Sequence, residues 1–198
     1  VSDSPGEHDA QLLQRLVLPD GSVLRAQHHG RPTRDSMFAD VARDGKTALK
    51  IWNINGAGGA VVGAFHVQGV DWDWRSHAPR IQKTKPLPIT ASVRPEDAET
   101  LRGHIGNVAA WRHRDGRLEL LHSSQAAMRC TLLHQEWEIF TFMPVVECQL
   151  VQNDAPLRWA PLGLAEMLNT GGAIVSSSLH TGSAEGIAMR PAAHAALV

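Results

Sequence analysis

The sequence predicts a mainly β chain: an antiparallel β-sandwich over residues 48–178, a short β-α-β segment before it over residues 1–47, and a loose tail over 179–198. Three observations predict this. Helical periodicity is confined to one stretch near the amino terminus. From Ala48 onward the texture is apolar and polar residues alternating with period two. Turn signals such as Arg43-Asp44-Gly45-Lys46, Asn55-Gly56 and Asp115-Gly116 punctuate that alternation.

Taken in order, Ser4 suits a helix N-cap, Pro5 the first helical position and Glu7 the partner of a capping box. Ala10, Leu13, Leu16 and Val17, with Leu12 beside them, share one helical face until Pro19-Asp20-Gly21 ends it. Ser22 to Gln27 alternates as a strand, and Val1 to Asp3 reads as the tail of another. Such β-α-β units belong to parallel sheets or α/β barrels.

After the Arg43–Lys46 turn, Leu49, Ile51 and Asn53 fall on one side of a strand and Ala48, Lys50, Trp52 and Ile54 on the other. In the next strand Val61, Gly63, Phe65 and Val67 alternate with Val62, Ala64 and His66; both faces are largely apolar, which places it in the middle of the sandwich. Glu96 to Leu101 forms a helical turn after Pro95. Ala109 to His122 reads as a hairpin with a two-residue Asp115-Gly116 loop, pairing Arg112 with Glu119 and Trp111 with Leu120. That register buries Trp111, Leu118 and Leu120, sends Arg112, Arg114, Arg117 and Glu119 to solvent, and leaves His113 at the boundary. Ala127 to Leu133 and Trp137 to Met143 supply two further strands, and Pro144 breaks the second before Val145 to Val151 resumes.

A chain of 198 residues buries roughly 70% of its unfolded surface without metal or disulfide help. The formal charge of −1, with acids and bases interspersed, gives no field for nucleic acid or an anionic membrane, so neither is expected as a partner. Cys130 and Cys148 are too few for a disulfide framework, which points to a reducing, cytoplasmic setting. No apolar run reaches the roughly eighteen residues a membrane span needs, and the amino terminus has no leader pattern. His28, His29, His104, His113, His122 and His134 show no metal-ligand spacing, and no cofactor is expected. The chain starts at Val1 inside what reads as a motif, so a piece of a longer protein is expected.

LVLPDGSVLR (Leu16–Arg25), RPTRD (Arg31–Asp35), DGK (Asp44–Lys46), LKIWNIN (Leu49–Asn55), the Gln68-Gly69 to Trp72 ending, EIFTFMPV (Glu138–Val145) and APLGLAEMLNTGGAI (Ala160–Ile174) resemble the raffinose synthase and seed imbibition protein family. SDSPGEHD, near the start, is similar to its pattern too. Departures lie at His66-Val67, where an Asn-Cys pair is common, at Val70-Asp71, and at the added Trp74. The resemblance implies a (β/α)8 TIM-barrel catalytic domain followed by a C-terminal antiparallel β-sandwich, residues 1–47 being the barrel's remnant. It implies transfer of galactose from galactinol to sucrose, or, as the alternative, hydrolysis of raffinose-type α-galactosides by an alkaline α-galactosidase. A third reading is a stand-alone, non-catalytic sugar-binding or interaction module. The partners expected are small sugars.

Retaining enzymes of this kind use two carboxylates, one as nucleophile and one as acid/base. The resemblance puts both aspartates upstream, so no catalytic residue is expected here. In a barrel the loops after the strands line the active site, which makes Asp3, Ser4, Arg34 and Asp35 candidate substrate contacts. A carboxylate accepts two sugar hydroxyls and an adjacent Arg orients it. Equally, Asp3 and Ser4 suit capping, and Arg34 with Asp35 suits a local pair. Trp72, with Trp74, suits either a stacking platform for a pyranose or ordinary core cover.

Overall fold

The computed structural model describes residue 4, residues 6–81, 85–148 and 157–174, and the pairs 179–180 and 188–189. Asp3, Pro5 and most of the expected tail lie outside those residues.

The amino-terminal segment differs from expectation. Helix α1 spans only Ala10–Gln14 and buries none of its residues. Its cap is Asp9, whose carboxylate accepts the Leu12 N–H at 3.0 Å, not Ser4; Ser4 is exposed and its carbonyl accepts the Glu7 N–H. Residues 22–27 form no strand. A single antiparallel bridge joins Val17 to Val23, and Gln27 N–H reaches Ile54 O at 2.9 Å. A five-residue helix with no buried face has too few bonds to hold itself beyond one turn.

Strand β1, Arg31–Pro32, is followed at once by helix α2, Arg34–Met37. Strands β2 (Leu49–Ile54) and β3 (Ala60–Phe65) come next. Then follow β4 (Val70–Asp73), β5 (Ala78–Ile81), β6 (Ile89–Val93), β7 (Val108–Arg112), β8 (Arg117–Leu121), β9 (Met128–Leu132) and β10 (Trp137–Pro144). The short strands β11 (Val146–Cys148), β12 (Leu157–Trp159), β13 (Leu179–His180) and β14 (Ala188–Met189) complete the order. One antiparallel sheet runs β1-β2-β3-β10-β7-β8, and β6 pairs with β9 in a second sheet. The described chain is mainly β and antiparallel. Central placement of β3 holds: it lies between β2 and β10.

The core fills the space between these sheets. Ala60, Val62 and Ala64 of β3, Trp52 of β2, Val108 and Ala110 of β7 and Phe140 and Phe142 of β10 meet Ile89, Ala91 and Val93 of β6 and Met128, Cys130 and Leu132 of β9. The Phe140 and Phe142 rings stack at 6.2 Å with 5° between planes, and neither is exposed to solvent. Each large apolar side chain so buried contributes about 1.5–3 kcal/mol. Two 3-10 turns, Pro95–Asp97 and Glu99–Leu101, close one end of the core with Ala98 and Leu101.

The β7–β8 hairpin corrects the expected register. Arg112 faces Arg117, Trp111 faces Leu118 and Ala110 faces Glu119, leaving a four-residue loop, 113–116. Only Gly116 in it takes a positive φ, 64°. The buried face is the one expected to be solvated: Val108, Ala110 and Leu121 reach the core, whereas Leu118 and Leu120 are 57% and 42% exposed. The core lies under the base of the hairpin, where that face is apolar, and its charged tip overhangs. There Arg112 Nε reaches Asp115 Oδ1 at 2.8 Å and its Nη1 reaches Arg129 O at 3.2 Å. His113 is buried on the opposite face, 7% exposed, and its Nε2 lies 3.3 Å from Thr141 Oγ1.

Candidate functional site

The site grows from the junction of α2 with β2. Thr33 is the N-cap of α2, and its backbone N–H bonds to Lys50 O at 2.9 Å. In return Lys50 N–H donates to Ser36 Oγ at 2.8 Å, so helix and strand are joined by reciprocal bonds. This arrangement leaves the Thr33 hydroxyl free to donate to Asp35 Oδ1 at 2.5 Å.

Lys50 points inward from β2, its side chain 4% exposed. The ammonium lies 2.8 Å from Asp35 Oδ2, 2.7 Å from Asp97 Oδ2 and 3.1 Å from Ser92 O. An ammonium has three protons and no acceptor. Each proton therefore has one partner, drawn from α2, from the Pro95–Asp97 turn and from β6. Asp97 Oδ2 also accepts the Arg94 N–H at 2.9 Å. Burial pushes the Asp35 carboxyl upward, but the hydrogen bonds from Lys50 and Thr33 outweigh it and hold the group below its usual range.

The Asp35 side chain nevertheless keeps half its surface open, 54%. Arg34, next to it, reaches Glu99 at 3.6 Å in an exposed pair. Arg34 and Asp35 are thus brought together, and both are tied to the turns that close the core. Asp3 lies outside the described residues. Ser4 belongs to the exposed amino-terminal segment and Trp72 to the separate β4–β5 hairpin. Trp72 and Trp74 sit with ring centroids 6.5 Å apart and planes at 76°, edge to face, so they do not make one flat platform.

Lys50 and Asp97 are the participants that sequence reasoning missed. The signal was present: Lys50 alternates onto the same strand face as Ala48 and Trp52, and a cation on an apolar face needs an anionic partner.

Two other motifs meet nearby in sequence. Asp44 Oδ1 accepts the N–H groups of Lys46 and Thr47, each at 2.9 Å, and Gln68 Nε2 at 2.7 Å, while Gln68 Oε1 accepts Gly45 N–H at 3.0 Å. The DGK turn and the Gln68-Gly69 pair are therefore one hydrogen-bonded unit. Burial pushes the Asp44 carboxyl upward, but the combined hydrogen bonds from Thr47, Lys46 and Gln68 outweigh it and hold the group well below the usual carboxylate range. On the outer face of the sheet, Gly30, Ile51, Asn53, Val61, Gly63 and Phe65 line a groove of about 250 Å³. Among the described residues no three His, Cys, Asp or Glu side chains converge to hold a metal, and no helix is long and apolar enough to cross a membrane.

The family model for raffinose synthase or seed imbibition protein Sip1 matches residues 1–191. A probable galactinol–sucrose galactosyltransferase 1 of Arabidopsis thaliana is 42% identical over 181 residues, 89% of this chain and 23% of that protein. The galactinol–sucrose galactosyltransferase of Oryza sativa subsp. japonica is 40% identical over 88% of this chain and 22% of its own length. Stachyose synthase of Pisum sativum is 33% identical over 88% of the chain and 21% of its own. The chain thus spans less than a quarter of the length of the curated relatives it matches. Among solved structures, a putative α-N-acetylgalactosaminidase from Bacillus halodurans matches 49% of this chain and 18% of its own at 11% identity and a TM-score of 0.34. The match of motifs and of whole-chain identity leads to one conclusion: the chain belongs to the raffinose synthase or seed imbibition protein Sip1 family.

Proposed function

We propose that the chain is the carboxyl-terminal part of a galactinol–sucrose galactosyltransferase that moves galactose from galactinol to sucrose with retention of configuration. The observation that carries this is the 42% and 40% identity, over nearly nine-tenths of the chain, to proteins bearing that name. The nucleophile and the acid/base carboxylate, about 5–5.5 Å apart in retaining enzymes, come from the longer protein upstream of this chain. A galactosyl group carried on the nucleophile is then taken by a sucrose hydroxyl in place of water.

Within this reading, residues 1–47 close a (β/α)8 barrel, residues 48–178 form the sandwich that supports it, and residues 179–198 are a tail. The exposed Leu12 and Leu13 of α1 are the apolar surface such a barrel would cover. Asp35 accepts sugar hydroxyls with its half-open carboxylate and Arg34 flanks it, while Asp3, Ser4 and Trp72 are sugar contacts supplied by other segments. Cytoplasmic residence fits the buried free thiol of Cys130.

Incubating the full-length protein with galactinol and sucrose should yield raffinose and myo-inositol, whereas residues 1–198 alone should yield neither. Release of free galactose in preference to raffinose would replace the transferase with the hydrolase. Turnover by residues 1–198 alone would place the catalytic carboxylates inside this chain.

A further inference from the structure

We infer that Lys50 is a positioning residue: its buried ammonium fixes the orientation in which the Asp35 carboxylate is presented to a sugar hydroxyl. The inference rests on the sugar-contact role proposed for Asp35 and names the group that makes it possible.

The geometry separates two kinds of carboxylate around one cation. Asp97 is closed off, 11% exposed, with Oδ2 shared between Lys50 and the Arg94 N–H. Asp35 is open, yet each of its oxygens already holds one fixed donor, Oδ2 the ammonium and Oδ1 the Thr33 hydroxyl. With the Ser36 backbone N–H as a further donor, these bonds stop rotation of the carboxylate plane, and a carboxylate, with about four lone-pair sites, still has room for one more donor. An acceptor arranged in that way before the ligand arrives loses no orientational freedom on binding. Neither role needs the ammonium to touch the sugar. Lys50 itself is enclosed by Asp35, Asp97 and Ser92 O and has no proton left to offer.

This arrangement also explains why a lysine stands on a core-facing strand position. A lysine there extends from β2 to the turn that follows β6, so the cation bridges the two sheets and reaches α2 at once. Next to Asp35, Arg34 of α2 forms an exposed ion pair with Glu99 of the Glu99–Leu101 turn at 3.6 Å.

The test is a coupling measurement in the full-length protein, with galactinol and sucrose as the probes. Lys50→Met alone leaves the buried Asp97 carboxylate without a cation, only the Arg94 N–H remaining, so the informative variant is Lys50→Met with Asp97→Asn, which keeps the local charge balanced and lets the amide oxygen accept Arg94 N–H. Asp35→Asn is made in both backgrounds. The expected result is a rise in KM of about tenfold for one of the two sugars, the loss of one charge-assisted hydrogen bond, in Asp35→Asn and in the balanced Lys50 variant alike. In the combination the rise should be no larger than in either, kcat should stay within about twofold, and Tm should stay near that of the wild type. Multiplying effects in the combination, or an unchanged KM in the balanced variant while Asp35→Asn raises it, would overturn the role of Lys50 and leave Asp35 as a contact. An unchanged KM in Asp35→Asn would instead remove the sugar contact itself.

Discussion

Lys50 carries its charge on a side chain that is 4% exposed, and the fold balances that charge with two carboxylates and a carbonyl. Breaking such an arrangement on one side leaves an uncompensated buried charge. Lys50→Met should therefore destabilise residues 1–198 by about 3–5 kcal/mol, read as a lower urea midpoint, and Asp97→Asn added to it should restore much of the loss. By contrast Arg34→Ala, which removes only the exposed contact to Glu99, should change stability by less than about 1 kcal/mol.

His113 makes a second prediction at this scale. Burial, with the Arg15 charge adding to it, lowers its pKa from 6.5 to about 4. The folded state then resists a proton that the unfolded state accepts. The contribution is fully present above pH 6.5 and is lost as pH falls from there toward 4, amounting to up to about 3 kcal/mol. Glu138 titrates with the opposite sign, because burial raises its carboxyl against hydrogen bonds from the Arg114 and Ile139 amides. The measurement is accordingly a difference: urea unfolding of the wild type and of His113→Gln at pH 7.5 and pH 5. The wild type should lose more on acidification, and equal losses would contradict the assignment.

At the level of elements, the β7–β8 hairpin shows what alternation can and cannot tell. Its period-two pattern identifies both strands, and the pattern offers two faces. Counting apolar residues favours Trp111, Leu118 and Leu120, but the core lies under Val108, Ala110 and Leu121. The Asp-Gly pair suggests a two-residue loop; the four-residue loop forms because His113 N–H is taken by Ile139 O of β10 and Arg114 N–H by Glu138 Oε1. Those partners are distant in sequence, so local turn chemistry could not include them. Leu121→Ala should thus cost about 2–5 kcal/mol, whereas Leu118→Thr and Leu120→Thr should each lie within about 0.5 kcal/mol of the wild type in chemical unfolding. The expected register would reverse that order. For β9 the pattern was sufficient, because it places its apolar residues on one face only, whereas β6, with the same one-sided burial, was not expected from the sequence.

Across the whole molecule, attachment to the six-stranded sheet divides firm from loose. The expected division at residue 47 falls between two paired strands: β1 pairs Arg31 with Trp52 and Pro32 with Ile51, and α2 is bonded to β2 through Thr33 and Ser36. Limited proteolysis of residues 1–198 should remove chain ahead of Arg31, where α1 has no buried residue, and should spare 31–37 along with the sheets. Cleavage between Arg34 and Leu49 as early as in α1 would contradict that order. The sequence by itself determined the family, the mainly β class and the positions of β2, β3 and β7 to β10, since motif content and alternation are written within a few residues of one another. Tertiary structure alone decided which face of the hairpin is buried, that residues 22–27 form no strand, and that the Asp35 carboxylate shares a cation with Asp97. Each of these depends on which groups from remote parts of the chain compete for one hydrogen-bond donor or one patch of apolar surface, and that competition is settled only when the two sheets pack.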